Sequence, residues 1–380
     1  MQTLPLITDT PESFKGVRVL LRLDFNVPLE GSEVRDDYRL RESLPTINFL
    51  REAGAKLVII SHIGKGKPED TLAPVAEYLN KIFPVTFLPT LLSAENVRMT
   101  NDMQEGDVVL LENLRHSKGE EENDPEFVAY LMSLADVYVN DAFSVSHRAH
   151  ASVVGVPALL PEGKKWAGLR LAQEVTRLAV AFEPEHPFLF ILGGAKISTK
   201  MPLLKKFLDI ADHVFVGGAI ANNFFKAAGS EIGTSVYDAD EISGLESYLD
   251  HPHLLLPSDV VVKNLAGSET LPLAEVTSGD MIVDVGLETV NHLEEIIGRA
   301  KLIVWNGPLG FYEEGFTEGS RDLLGLIAGA RATSIIGGGD TVALINTMGS
   351  LDRFSFVSTG GGAMLEYLAN ETLPGIEALK

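Results

Sequence analysis

Short, nearly unbroken apolar runs recur along this chain, separated by longer stretches of mixed polarity. Rich in β-branched residues, they read VRVLLRL (17–23), KLVIIS (56–61), DVVLLE (107–112), DVYVN (136–140), FLFIL (188–192) and HVFVG (213–217). They continue as DVVV (259–262), MIVDV (281–285), KLIVW (301–305), SII (334–336) and FSFV (354–357). Between most of them lie segments of helical period, such as LRESLPTINFLREAG (40–54) and MPLLKKFLDIAD (201–212). Strands without polar alternation that take turns with helices predict parallel sheets covered on both faces, an α/β fold. Eleven such runs exceed one ordinary open sheet, so the pattern predicts two doubly wound domains. The boundary falls near KKWAGLRLAQEVTRLAVAFEPEHP (164–187), which reads as one amphipathic helix stopped by Pro184 and Pro187.

In open parallel sheets ligands sit beyond the carboxyl ends of the strands, so the residues that follow each run carry the chemistry. In the first half they are polar and rich in cations. Asp24 and Asn26 follow the first run on one face, SHIGKGK brings His62 and Lys65, and ENLR brings Arg115. NDAFSVSHRAHAS brings His147, Arg148 and His150, and Arg39 stands in the loop EVRDDYRL. Converging on one edge, these groups make a cup for phosphate plus carboxylate, because Arg supplies planar bidentate donors. Taken singly, each is equally at home in solvent or beside an acid.

In the second half the strand ends are glycines: ILGGAKISTK, VGGAIANNF, WNGPLGFYEE, IGGGDT and TGGGA. The last two are strand–GGG–helix corners that begin at Gly337 and Gly360. Such a corner brings backbone close to a ligand and aims unpaired helix-start N–H groups at it, so a pair of them suits a polyanion. Tight strand–helix packing alone also explains a GGG run. Asp340 and Thr341 open the helix after the first corner, where a carboxylate suits Mg²⁺ and a hydroxyl suits a phosphate oxygen. Lys196 and Lys200, four apart, share a face if KISTK opens a helix, and Glu313 is placed to accept from ribose hydroxyls.

Composition sharpens this reading. A net charge of -22 argues against nucleic-acid or anionic-membrane partners, so a site for an anion needs a local excess of cations or amides. With no cysteine, thiolate metal sites, disulfides and a cysteine nucleophile are excluded, and a cytoplasmic location is expected. The start has no basic segment followed by an apolar run, so no secretory leader is expected, and no run is long enough to span a membrane. The Walker A motif, a G-x-G-x-x-G fingerprint, H-E-x-x-H and G-x-S-x-G are all missing.

The words RLDFNVPL, SHIGKGK, LLENLR, VNDAFSVSHRAHAS, ILGGAKISTK, VGGAIANNF, IVWNGPLGFYE, IIGGGDT and VSTGGGA, in this order, resemble the phosphoglycerate kinase family along essentially the whole chain. The resemblance implies two Rossmann-like domains facing each other across a cleft and joined by a helix. They are a phosphoglycerate-binding domain (1–166), the helix (167–186) and a nucleotide-binding domain (187–369), with the tail (370–380) folded back on the first. It implies reversible transfer of the acyl phosphate of 1,3-bisphosphoglycerate to ADP, giving ATP and 3-phosphoglycerate, with Mg²⁺ carried by the nucleotide, in a monomer. The phosphoglycerate site would comprise Asp24, Phe25, Asn26, Arg39, His62, Ile63, Gly64, Lys65, Arg115 and Arg148. Gly194, Gly217, Gly218 and Glu313 would hold adenosine, and Pro308 would also belong to the nucleotide site. Asn306, Lys196, Lys200, Gly338, Gly339 and Thr341 would meet the phosphates, and Asp340 the metal. Arg39, Lys196 and the amides of Gly338, Gly339, Gly361 and Gly362 would surround the transferred group.

Two positions depart from the family's usual words: Lys65 stands where arginine is usual, and Ser144 where glycine is usual. The first loses a planar fork, and the second alters the site backbone if a left-handed conformation is needed there. Two other readings remain open on residues alone. One is a nicotinamide-dependent dehydrogenase, disfavoured by the missing fingerprint. The other is a two-lobed protein that binds a phosphorylated ligand without catalysis, for which Lys196, Asp340 and paired glycine corners are more apparatus than binding needs.

Overall fold

The computed structural model describes residues 4–380. The chain forms two compact units, one running to Thr176 and including Thr372–Lys380, the other Arg177–Glu371.

In the first unit β1 (Arg18–Arg22) leads into a small hairpin, β2 (Leu29–Glu30) and β3 (Glu33–Val34). Then come β4 (Lys56–Ile60), β5 (Thr86–Leu88), β6 (Val108–Leu111), β7 (Val137–Asn140) and β8 (Lys165–Ala167). Six of them make one parallel sheet in the order β5-β6-β4-β1-β7-β8. Val108–Leu111 and Val137–Asn140 are buried at every position, as strands covered on both faces must be. The chain leaves β1 toward β4 and later returns to β7 on the other side, so the order reverses between β1 and β7.

The second unit contains β9 (Phe188–Leu192), β10 (His213–Val216) and β11 (Leu254–Leu255), then β12 (Asp259–Asn264), β13 (Gly267–Pro272) and β14 (Met281–Val285). It ends with β15 (Leu302–Asn306), β16 (Thr333–Gly337) and β17 (Phe356–Val357). Its main sheet is parallel in the order β11-β10-β9-β15-β16-β17, and its reversal point lies between β9 and β15. Both sheets are thus doubly wound.

Three expectations need correction. The runs 259–262 and 281–285 do not join the parallel sheet; with β13 they form a separate antiparallel one, β13-β12-β14. A short apolar run does not reveal its partner's direction. The signal that does is the turn between Asn264 and Gly267, a paired closing position with Gly267 at φ 130°. The stretch 164–187 is not one helix, because β8 comes first and the helix spans only Leu169–Ala179. Finally KISTK does not open a helix. Residues 197–200 form a turn and the helix starts at Met201, so Lys196 is exposed while Lys200 is only 7% exposed.

Helix Leu169–Ala179 straddles the boundary of the two units at Thr176, and its start is held by Asp141. The Asp141 Oδ1 atom accepts the Leu171 N–H at 2.9 Å, beside Thr46, whose hydroxyl accepts the Leu169 N–H at 3.0 Å. Burial pushes the Asp141 carboxyl up to about 7, against the bonds from Thr46, Leu171 and Arg170 that favour its charged form. Because this value is raised above that of the unfolded chain, its contribution is complete below about pH 4 and is lost as pH rises toward 7. Replacing Asp141 with Asn keeps an acceptor and removes the titration. The stability of Asp141→Asn relative to wild type, from denaturant unfolding, is therefore expected to rise by on the order of 3 kcal/mol between pH 4 and pH 8. A difference that stays constant with pH excludes Asp141 as the titrating group.

Candidate active site

At the carboxyl ends of β6, β4, β1 and β7, four neighbouring strands of the first sheet, the structure brings several of the polar and cationic side chains together. Asp24 lies two residues beyond β1 and is 6% exposed. Its Oδ2 accepts Arg39 Nη1 at 2.6 Å and the Ser144 hydroxyl at 2.5 Å, and its Oδ1 accepts the Asn26 N–H at 3.1 Å. Arg39 comes from the first turn of helix Tyr38–Glu52. Asn26 Oδ1 in turn accepts the Gly64 N–H at 2.9 Å, and the Gly64 carbonyl accepts Arg115 Nη1 at 2.5 Å. Asn113 ties this loop to the third strand end, accepting the N–H groups of Ile63 (3.2 Å) and Arg115 (3.1 Å) on one oxygen. Asp24, Asn26, Arg39, Gly64 and Arg115 therefore form one connected edge, with His62 two residues before Gly64 in the same loop.

Phe25 and Ile63 are core residues with side chains buried in the hydrophobic cluster, so only their backbones belong to this edge. Arg148 is exposed, as is Lys65, whose N–H donates to Asp70 at 2.8 Å. Ser144 is not among the residues of positive φ; it sits in the 3-10 turn Phe143–Val145. The serine fits without backbone strain and adds a donor to Asp24.

The charges here are under mutual repulsion. Burial lowers the Arg115 pKa, and neighbouring Arg148 lowers it further. Burial takes His62 well below its usual value, reinforced by Arg22, Arg115, Arg39 and Arg148. A bound anion relieves such a cluster. Arg22, 1% exposed, belongs to the same buried cluster although nothing in the segment RLDFNVPL marks it out. Its position in a strand read as plain core, and only its long-range partners reveal it.

In the second unit the glycine turns also meet at the reversal point. Gly193 N donates to Asn306 O at 2.9 Å and Gly194 N to Pro308 O at 2.8 Å, which joins the ends of β9 and β15. Gly218, φ 64°, faces both loops; a Cβ there would lie 2.8 Å from Gly194 N and 3.0 Å from Pro308 O. Lys200 Nζ donates to the Gly193 carbonyl, and burial brings its pKa down to about 8, with Asp340 acting in the opposite sense. Next to this junction is a pocket with a mainly apolar lining that includes Gly194, Gly218, Pro308, Phe311, Glu313 and Asp340. Gly217 is buried against Leu309 at its rim.

The two GGG corners adjoin, since β16 and β17 are neighbours and a Cβ on Gly361 would lie 3.4 Å from Gly338 Cα. Helix Gly339–Thr347 makes its first bond from Val342 N to Gly338 O at 2.9 Å, and helix Gly361–Asn370 from Met364 N to Gly360 O at 2.6 Å. The preceding N–H groups, Gly339 and Gly362 among them, precede both ladders. Asn306 Nδ2 lies 3.5 Å from Gly361 O, linking β15 to the second corner. Thr341 Oγ1 is buried without a hydrogen-bond partner among the described residues. Asp340 forms no ion pair among them, and burial and Glu313 raise its pKa. One unpaired carboxylate beside a phosphate-sized gathering of N–H groups fits Mg²⁺ that arrives on a nucleotide, because Mg²⁺ takes one or two protein carboxylates and completes its shell with phosphate and water. No group of three or more His, Cys, Asp or Glu residues fit to hold a metal occurs among the described residues.

Residues 7–371 match the profile of the phosphoglycerate kinase family. The chain belongs to the phosphoglycerate kinase family. The phosphoglycerate kinase of Dictyoglomus turgidum is 43% identical over 97% of both chains, and that of Herpetosiphon aurantiacus 41% identical over 97% of both. Among solved structures, phosphoglycerate kinase from Coxiella burnetii superposes with a TM-score of 0.84 at 36% identity, covering 99% of both chains. That from Pyrococcus horikoshii gives 0.86 at 31% identity, covering 99% of this chain and 98% of its own. No helix of the described residues is long and apolar enough to cross a membrane.

Proposed function

We propose that this chain is a phosphoglycerate kinase that moves the acyl phosphate of 1,3-bisphosphoglycerate to Mg-ADP, giving ATP and 3-phosphoglycerate, and runs in both directions. The observation that carries the reading is the pairing of two unlike anion sites on one chain. One is a mutually repelling arginine cluster; the other is a pair of adjoining helix starts beside an apolar pocket. Arginine forks suit a compact acid with one phosphate and one carboxylate. An apolar pocket that ends in N–H groups suits a nucleoside with a phosphate chain.

Transfer is direct and in line. The attacking ADP oxygen is already ionised, so no general base or covalent enzyme intermediate is required, and catalysis rests on positioning and charge neutralisation. Asp24, Asn26, His62, Arg115 and Arg148 hold the acid, with backbone at Phe25, Ile63 and Gly64 and the charge of Lys65 at the rim. Gly194, Gly217, Gly218, Pro308 and Glu313 hold adenosine; Lys200, Asn306, Thr341 and the amides of Gly338 and Gly339 hold the phosphates. Asp340 would hold the Mg²⁺ carried by the nucleotide, which would supply charge neutralisation at the phosphates. Arg39, Lys196 and the amides of Gly339 and Gly362 stabilise the moving PO₃. With its ligands assigned to different units, the enzyme turns over by closing them over the acyl phosphate, excluding water that would hydrolyse it. We assign it to the cytoplasm as a monomer.

A coupled assay with ATP, Mg²⁺ and 3-phosphoglycerate tests the reading. Turnover strictly dependent on all three is expected. Tight binding of phosphoglycerate and nucleotide without turnover would leave a two-lobed binding protein instead.

A further inference from the structure

Behind the substrate edge a buried chain of polar groups leads to His62. Glu120, 1% exposed, accepts the Ser152 N–H at 3.0 Å and the Ser152 hydroxyl at 2.6 Å. Ser152 has a single hydroxyl proton, and it is spent on Glu120; its oxygen is therefore left as an acceptor, and Arg22 Nε donates to it at 2.9 Å. The Tyr138 hydroxyl donates to the Ser152 carbonyl at 2.7 Å and fixes the same segment. Arg22 Nη1 donates to the Leu23 carbonyl, and Arg22 Nη2 lies 3.2 Å from His62 Nδ1.

The last contact settles a proton. Guanidinium has donors only, so a hydrogen bond from Arg22 requires a lone pair on His62 Nδ1. An imidazolium or an Nδ1–H tautomer would set two N–H groups head to head. The ring proton is thus on Nε2, the nitrogen with no hydrogen-bond partner among the described residues. We propose that Arg22, oriented by the Ser152–Glu120 pair, is a positioning residue that locks His62 in the neutral, Nε2-protonated form, so that His62 meets the phosphorylated acid as a hydrogen-bond donor and not as a cation. The charged groups acting on the ring agree: burial and the guanidiniums of Arg22, Arg115, Arg39 and Arg148 all disfavour a further positive charge. The arginines supply the charge, and the histidine supplies one directed N–H. The last part of this inference rests on the assignment of His62 to the phosphoglycerate site.

The test uses full-length protein labelled with ¹⁵N in its histidine rings, read by long-range ¹H–¹⁵N correlation. In the wild type, His62 is expected to show an unprotonated Nδ1 and a protonated Nε2, unchanged from about pH 8 to about pH 5.5. An Nδ1–H pattern, or conversion to imidazolium in that interval, overturns the lock. Ser152→Ala is expected to mix the tautomers of His62 and to raise KM for 3-phosphoglycerate about tenfold with kcat changed less than about twofold. Ser152→Thr, which keeps the hydroxyl, restores the single tautomer. A tautomer in Ser152→Ala as uniform as in wild type refutes the role of the pair, and the wild-type spectrum decides the main point even if that variant does not fold. Adding 3-phosphoglycerate to the wild type is expected to shift the Nε2–H resonance. If the tautomer is as stated but this resonance does not respond, the lock stands and the donor role falls with the assignment of His62 to the acid site.

Discussion

Replacing Arg39 with alanine is expected to lower kcat by about a thousandfold, the scale of a lost transition-state cation in phosphoryl transfer. The side chain is 28% exposed and its one ion pair among the described residues is to Asp24 at 2.6 Å. Asp24 is buried but the Arg39 end of the pair is partly open to solvent, so its loss is expected to cost stability on the order of 1 kcal/mol. Asp24 also keeps the Ser144 hydroxyl and the Asn26 N–H as donors when Arg39 is removed. Folding should therefore be nearly unchanged while turnover collapses, and steady-state rates beside a thermal unfolding curve measure both. Near-normal turnover would remove Arg39 from the catalytic group.

The second large effect is expected at Lys200. Its amine is buried, bonded to the Gly193 carbonyl at the junction of β9 and β15, and brought down to about 8 because burial penalises its charge. The Coulombic partner that favours the charge is Asp340, and no salt bridge joins them. A buried amine so poorly compensated costs stability, as expected if its charge serves the proposed nucleotide site. Lys200→Met, similar in length and apolar, is expected to lower kcat/KM for ADP by about a hundredfold or more, with a thermal midpoint equal to or above that of the wild type. If activity and midpoint fall together, Lys200 is a structural strut. If affinity for ADP is retained, the nucleotide phosphates bind elsewhere.

These two residues show how differently the sites were legible. Lys200 was visible as a residue type after a strand, but its pairing with Lys196 on one face was not real. Helix period applies only inside a helix, and the turn at 197–200 exposes one lysine and buries the other. Arg39 was visible because it read as part of a polar loop, but the structure places it in the first turn of helix Tyr38–Glu52, and its contact with Asp24 joins that helix start to a strand end. Ser144 looked like a threat to the backbone and proved to be a ligand of Asp24. Arg22 and Glu120 gave no signal. A charged residue inside an apolar run announces nothing until its partners, 130 positions away in the case of Ser152, come into view.

The chain on its own determined the class of fold and marked the strand ends as the candidate places for chemistry. Strand and helix periods are local, and ligands gather at strand ends because an open parallel sheet leaves them nowhere else to gather. Folding in three dimensions decided what local pattern cannot encode. It set the direction in which β12 and β14 pair, split the 164–187 stretch into strand and helix, and brought the two glycine corners side by side. It also chose which nitrogen of His62 carries the proton. Each of these depends on a partner distant in sequence, and contact at a distance is written in the packed structure rather than in the order of residues.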